Sequence, residues 1–242
     1  VTAAVWGVLL TVLLAGWALL DGAVQGTGAA LGSAPTGAER RVRLAAVGPL
    51  LLAGEVWLVA AAGVLVGAFP HAESALAAAG YPVLVALVAS WAARDAGLWL
   101  RSRRASAVWR SAWDRVIVVA STVLSAAFGA LLGVVWGSVW AAAGLAVTFV
   151  LLVRLHGAAV VARRLGTTAR APLWLTSVAV LSPVLVTVVA AWPALMHGAV
   201  SVSALAALGG IVLAALPALV VVQVAAWWLV ARPLGRRDVV FF

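Results

Sequence analysis

Glu55 lies inside an otherwise apolar run from Leu44 to Phe69, in the local string Ala53-Gly54-Glu55-Val56-Trp57-Leu58. An ionised carboxylate at the centre of a bilayer costs about 2.5–3.5 kcal/mol on insertion scales, so an acid there is protonated, paired or lining a polar path. Asp21, Asp95 and His156 also interrupt apolar segments, as do two cations, Arg94 and Arg154. Acids and histidines at membrane depth are the side chains that relay protons in pumps and oxidoreductases. Glu55 is therefore the leading candidate proton acceptor, with Asp21, Asp95 and His156 as steps between it and the aqueous phase. A static reading uses the same residues: Arg94 or Arg154 pairs with Asp95 or Asp21 and balances charge between helices. Arg101 and Asp114 are candidates for the same pairing role.

Other chemistries find few carriers. The chain has no cysteine, which excludes disulfides, thiolate metal sites and covalent haem attachment. Haem iron takes His, Met, Cys or Tyr as an axial ligand. Met196 is the single methionine and sits at a span end, and no two of the three histidines have helical ligand spacing. A bis-ligated haem within this chain and a metal site are both unexpected. No phosphate-cradling loop, zinc motif or Ser/His/Asp constellation is present.

The elements that position these residues are membrane spans. Hydrophobic residues make up 66% of the chain and charged residues 10%, with a mean hydropathy of +1.17, against roughly 25% charged in a soluble domain. An all-α, polytopic bundle is expected, a single integral membrane domain over residues 1–242. Apolar runs mark about seven spans, near 3–21, 44–69, 75–100, 111–135, 138–163, 172–195 and 203–231, with ends uncertain by about 2–4 residues. Asp21 then closes the first span. Arg94 and Asp95 sit about one and a half turns before the end of the third, and Arg154 and His156 lie near the end of the fifth.

Arginine follows every second span: Arg40, Arg41 and Arg43; Arg101, Arg103, Arg104 and Arg110; Arg163, Arg164 and Arg170; Arg232, Arg236 and Arg237. The alternate connections, around His71, Gly137 and His197, carry none. Positive charge collects in cytoplasmic loops, which predicts the N-terminus outside and the C-terminus inside. The same distribution explains the net charge of +9 without nucleic acid. No basic region precedes the first span, so it is not expected to be a cleaved signal peptide. Trp109, Trp113, Trp136, Trp140, Trp192, Trp227 and Trp228 fall near headgroup level as interfacial anchors. Gly129 and Gly133 permit close helix approach without specifying a partner.

Several short strings occur in an order that resembles subunit II of the cytochrome bd quinol oxidases. Gly16-Trp17-Ala18-Leu19-Leu20-Asp21-Gly22 closes the first span and Glu39-Arg40-Arg41-Val42 precedes the second. Gly48-Pro49 is followed by Gly54-Glu55-Val56-Trp57-Leu58 and Phe69-Pro70, and later by Arg94, Gly97, Arg101-Ser102-Arg103, Trp109-Arg110 and Trp113-Asp114. The match is looser at His156-Gly157-Ala158 and in the last span, with Pro217, Gln223 and Trp227-Trp228. The resemblance implies a multi-pass subunit of the bacterial cytoplasmic membrane. Such a subunit packs beside a haem-bearing subunit I, which holds the b- and d-type haems, oxidises quinol and reduces oxygen. It also implies scaffolding, a lipid- or quinone-filled interface, for which Trp57 is a candidate contact, and proton delivery in some members.

The departures are specific. Leu52 stands where the family pattern has an acid, and Trp99 where an acid precedes the Arg-Ser pair, with Asp95 one helical turn away on the same face. A second acid beyond Asp21 is absent, with Val24-Gln25-Gly26 in its region. The pattern also implies nine spans and about a hundred more residues than this chain has. Two further readings stay open: a proton-coupled transporter, which a broken helix or an internal repeat at its binding site would mark, and a degenerate scaffold or assembly paralogue.

Overall fold

The structure, a computed structural model, describes residues 2–232. Seven helices follow one another: α1 (Ala3–Ala29), α2 (Gly37–Ala68), α3 (Pro70–Leu100), α4 (Ala107–Val134), α5 (Val139–Leu165), α6 (Leu173–His197) and α7 (Val202–Ala231). A single 3-10 turn, Leu31–Ser33, joins α1 to α2. No strand occurs among the described residues. Helices α1 to α6 are each long and apolar enough to cross a membrane. Helix α7 is bent by 51° between Val202–Val212 and Pro217–Ala225, and counts as a seventh span when the bent pair is taken as one. Proline withdraws an N–H from the helical ladder and clashes with the preceding turn, which accounts for a bend at Pro217. The chain is a multi-pass membrane protein. Arg236 and Arg237, used in the charge pattern above, lie outside the described residues, as does the side chain of Trp227.

Two helix ends differ from those expected from the apolar runs. Helix α1 does not stop at Asp21 but continues to Ala29, with every residue from Leu20 to Ala29 buried. The charge does not end the helix because it is matched inside the bundle by Arg94. Helix α2 begins at Gly37, well before Leu44, because Thr36 Oγ1 accepts from the Glu39 N–H at 3.1 Å and caps the start. Hydropathy reports the depth of hydrocarbon, and these helices extend past it.

Helix α1 is the axis of the bundle and packs against α2, α4, α5 and α6. Helices α3 and α4 pair with each other, whereas α2 and α3 barely touch. Phe69 separates the last two and is fully buried, with an extended φ of −132° that the following Pro70 requires. Helix α3 kinks again at Gly80 (φ −117°, ψ 16°), two residues before Pro82. The α2 and α3 faces beside this gap expose Leu52, Val56, Val59, Val85 and Val88.

The arginine-rich connections converge on one end of the bundle. Arg40 on α2 and Arg101 after α3 both pair with Asp114 on α4. Arg154 donates to the Ala29 carbonyl at 3.0 Å, a cation on the orphan carbonyls of a helix C-terminus. Arg164 donates to the carbonyls of Ala46 and Arg232. At the opposite end the Val200 N–H donates to the Ala68 carbonyl, and His71 lies against the Gly198 carbonyl.

Close approach of α1 and α2 depends on two glycines. A Cβ at Gly16 would fall within the Trp57 ring, and one at Gly54 would lie 2.8 Å from the Asp21 Cβ. Gly129 and Gly133 sit against α5 in the same way, at Leu145 and Ala142. Overpacking of this kind costs about 1–3 kcal/mol. Gly16→Ala is therefore expected to lower the thermal midpoint of the detergent-solubilised chain, whereas Gly63→Ala, with nothing within 4 Å of the added carbon, leaves it unchanged or raised. Equal midpoints for the two variants would contradict the packing account.

Candidate functional site

Helix α1 brings Asp21, α2 brings Glu55, and α3 brings Arg94 and Asp95 to one point between the three helices. Arg94 is fully buried and its guanidinium is divided between two carboxylates: Nη1 donates to Asp21 Oδ1 at 2.6 Å and Nε to Asp95 Oδ1 at 2.8 Å. The third nitrogen, Nη2, is buried without a partner. Asp21 is buried as well, and its second oxygen accepts from Gln25 Nε2 at 2.7 Å. Gln25 Oε1 in turn lies 2.8 Å from Ser125 Oγ on α4, which is also 2.8 Å from the Ser121 carbonyl. One hydroxyl hydrogen serves one of these acceptors at a time.

The Glu55 and Asp95 carboxyl groups lie close enough to interact with each other. The cluster thus comprises three carboxyl groups and one guanidinium. Its two sides differ in access. Asp21 and Arg94 are sealed, whereas the Asp95 side chain is 21% exposed and Glu55 is partly exposed. These two acids stand where α2 and α3, which share little contact, come together.

A family model for cytochrome bd terminal oxidase subunit II matches residues 2–241. The chain belongs to that family. Among curated proteins it is similar to the cytochrome bd-I ubiquinol oxidase subunit 2 of Escherichia coli (strain K12), 34% identical over 122 residues, which is 49% of this chain and 32% of that protein. It is also similar to the probable cytochrome oxidase subunit 2 of Haemophilus influenzae, 32% identical over 111 residues, covering 46% of this chain and 29% of that protein. The cytochrome bd ubiquinol oxidase subunit 2 of Bacillus subtilis is 31% identical over 121 residues, 49% of this chain and 35% of that protein. The matched segments thus span about a third of these relatives' own lengths.

In this bd subunit II chain the other expected site residues stand apart from the cluster. His156 does not reach the acids: its ring nitrogens lie 3.2 Å from Thr176 Oγ1 and 3.1 Å from the Leu19 carbonyl, tying α5 to α6 and α1. Both are thereby committed, so His156 does not fit an axial haem ligand. His197 Nδ1 lies 2.6 Å from the Pro193 carbonyl in its own helix. Among the described residues no group of three or more His, Asp or Glu side chains could hold a metal ion. Arg154 serves the end of α1 and pairs with neither Asp21 nor Asp95. Arg101 Nε donates to Asp114 Oδ1 at 2.5 Å, with Arg40 on the other oxygen at 3.0 Å. Trp57 is buried, with its ring on Gly16 and its indole N–H unpartnered, so it presents no open face to a quinone.

Gln25 and Ser125 were not among the expected site residues. The signal for Gln25 was its position four residues after Asp21, where a Gln and an Asp meet on a helix. Ser121 and Ser125 share the same spacing on α4, but nothing in the sequence assigns their face to α1.

Removing one partner of a buried ion pair costs about 3–5 kcal/mol because the other charge is left unmatched. Arg94→Gln is expected to destabilise the bundle by about that amount, read as a fall in thermal midpoint in detergent, and Asp21→Asn in the same background to recover part of it. A wild-type midpoint for Arg94→Gln alone would show that these pairs do not hold the fold.

Proposed function

We propose that this chain is the non-haem, subunit II-like component of a bd-type quinol:oxygen oxidoreductase in the bacterial cytoplasmic membrane. It packs beside a subunit I that carries the b- and d-type haems, oxidises quinol and reduces oxygen, and it is not catalytic alone. The names of the Escherichia coli and Bacillus subtilis relatives, both ubiquinol oxidase subunits, support this reading. The arginine-rich end of the bundle faces the cytoplasm, in keeping with the charge distribution of the connections.

Within that assembly the Glu55–Asp95 pair holds a proton at mid-membrane and exchanges it through the gap between α2 and α3. The observation that carries this is the approach of the Glu55 and Asp95 carboxyl groups on the half-open side of an otherwise sealed cluster. Arg94 fixes Asp95 and Asp21 in place and supplies a constant positive charge, so a proton arriving at Glu55 or Asp95 meets a net negative site. His156 has no step in this scheme.

A static charge clamp is the second reading, and the two ion pairs of Arg94 favour it. The transporter reading has a broken helix in α7, but residues 202–231 contain no ionisable side chain to bind a coupled ion. Glu55→Gln separates the first two readings, because Glu55 is not an ion-pair partner of Arg94 and the amide still offers Asp95 a hydrogen bond. In the assembled complex, with haem content and subunit composition matched to wild type, quinol-driven oxygen consumption is expected to fall about tenfold or more. Unchanged turnover would remove Glu55 from the mechanism and leave the clamp.

A further inference from the structure

At the basic end of the bundle a cavity of about 460 Å³ opens between the start of α2 and the connection from α3 to α4, lined by Arg40, Arg41, Arg101, Arg110, Ser111 and Asp114. Four guanidinium groups face one carboxylate. That carboxylate is fully used, since Arg101 holds one of its oxygens and Arg40 the other. Arg110 donates Nη2 to the Ala105 carbonyl at 2.8 Å, and Arg41 has no hydrogen bond or ion pair among the described residues. The cavity is left with three positive charges in excess.

Two helix N-termini add to this field. Gly37 and Ala38, which open α2, and Ala107, which opens α4, stand in the cavity wall. The capping hydroxyls of Thr36 and Ser106 take the N–H groups of Glu39 and Trp109. Earlier first-turn N–H groups have no acceptor within their own helix, and the partial positive charge of both helix ends favours an anion. Several other arginines at this end have partners: Arg43 pairs with Glu39, Arg154 caps α1, and Arg164 holds two carbonyls.

The cavity opens where the spans leave hydrocarbon. Val108 beside it is 81% exposed, and the Trp109 and Trp113 rings meet edge to face with centroids 5.7 Å apart, as interfacial tryptophans do at headgroup level. Arg104 lies over Trp109, 4.6 Å from its ring centre. We propose that this cavity binds the phosphate of an anionic phospholipid headgroup, with Arg41 and Arg110 supplying the charge that Asp114 does not consume. Basic pockets between membrane helices on the cytoplasmic side recognise such headgroups. A free phosphate anion offers the same chemistry, and the exposed valine and paired tryptophans on another face of α4, at the same depth, favour the lipid. This site is independent of the acid cluster and of its role.

The test uses the full chain in its complex, purified in neutral detergent and stripped of native lipid. The probes are dioleoyl phosphatidylglycerol, dioleoyl phosphatidylcholine and inorganic phosphate, each titrated against the thermal midpoint. Phosphatidylglycerol is expected to raise the midpoint saturably, and the other two to leave it unmoved. Arg41→Gln combined with Arg110→Gln should weaken the phosphatidylglycerol response about tenfold or more, whereas Arg170→Gln, an exposed arginine outside the cavity, should not. Equal responses to the two lipids, a wild-type titration of the double variant, or an equal loss in Arg170→Gln would each overturn the site. Saturable stabilisation by inorganic phosphate that vanishes in the double variant would overturn the lipid assignment. Should the double variant fail to assemble, native mass spectrometry of the wild-type complex decides. Phosphatidylglycerol retained against an equal load of phosphatidylcholine supports the site, and no preferential retention overturns it.

Discussion

The bundle is organised around a guanidinium that has no access to water. Arg94 is fully buried, and a charge in that position persists only when its hydrogen bonds and its counter-charge are supplied from within. Asp21 and Asp95 supply both. Because Asp21 is matched there, α1 continues as a helix beyond it and becomes the element that four others pack against. Asp95, held by Arg94 Nε, lies beside Glu55. The half-open geometry of the Glu55–Asp95 pair thus follows from how the arginine divides its donors.

The placement of Glu55 also depends on an absence of side chain. Gly54 lies against Asp21 so closely that no larger residue fits, and one turn along the same interface Trp57 occupies the space that Gly16 leaves. These contacts fix the depth and rotation of α2 relative to α1, and with them the position of the acid between the two. On the other side, α3 follows α4 and diverges from α2. The acid pair bridges helices that otherwise share little contact.

The sequence made the spans and the alternation of arginine legible because both follow from hydrocarbon depth and from charge, which need no tertiary contact. It could not show that Asp21 lies within a helix, because a carboxylate at the end of an apolar run looks like a span boundary until its partner is known. For Arg94 and Arg154 it left both acids open as partners. The structure gives both to Arg94 and places Arg154 on the carbonyls of α1. His156 was expected among the acids on the basis of depth alone, but rotation around α5 turns it toward Thr176 and α1. Depth is written in the hydropathy, whereas azimuth is weakly written in spans that are apolar nearly all round.

Leu52 stands where the resemblance to the family pattern implies an acid. Leu52 is 61% exposed and lies three residues before Glu55, on the face bordering the gap between α2 and α3. A side chain at that position stands on the exposed side of α2, away from Arg94's two ion pairs. The sealed half, Asp21 with Gln25 and Arg94, is untouched by it. The remaining acids form a self-contained unit of one cation and three carboxyl groups whose only exposed members are Glu55 and Asp95. Access to this unit from outside therefore lies on the side of those two acids.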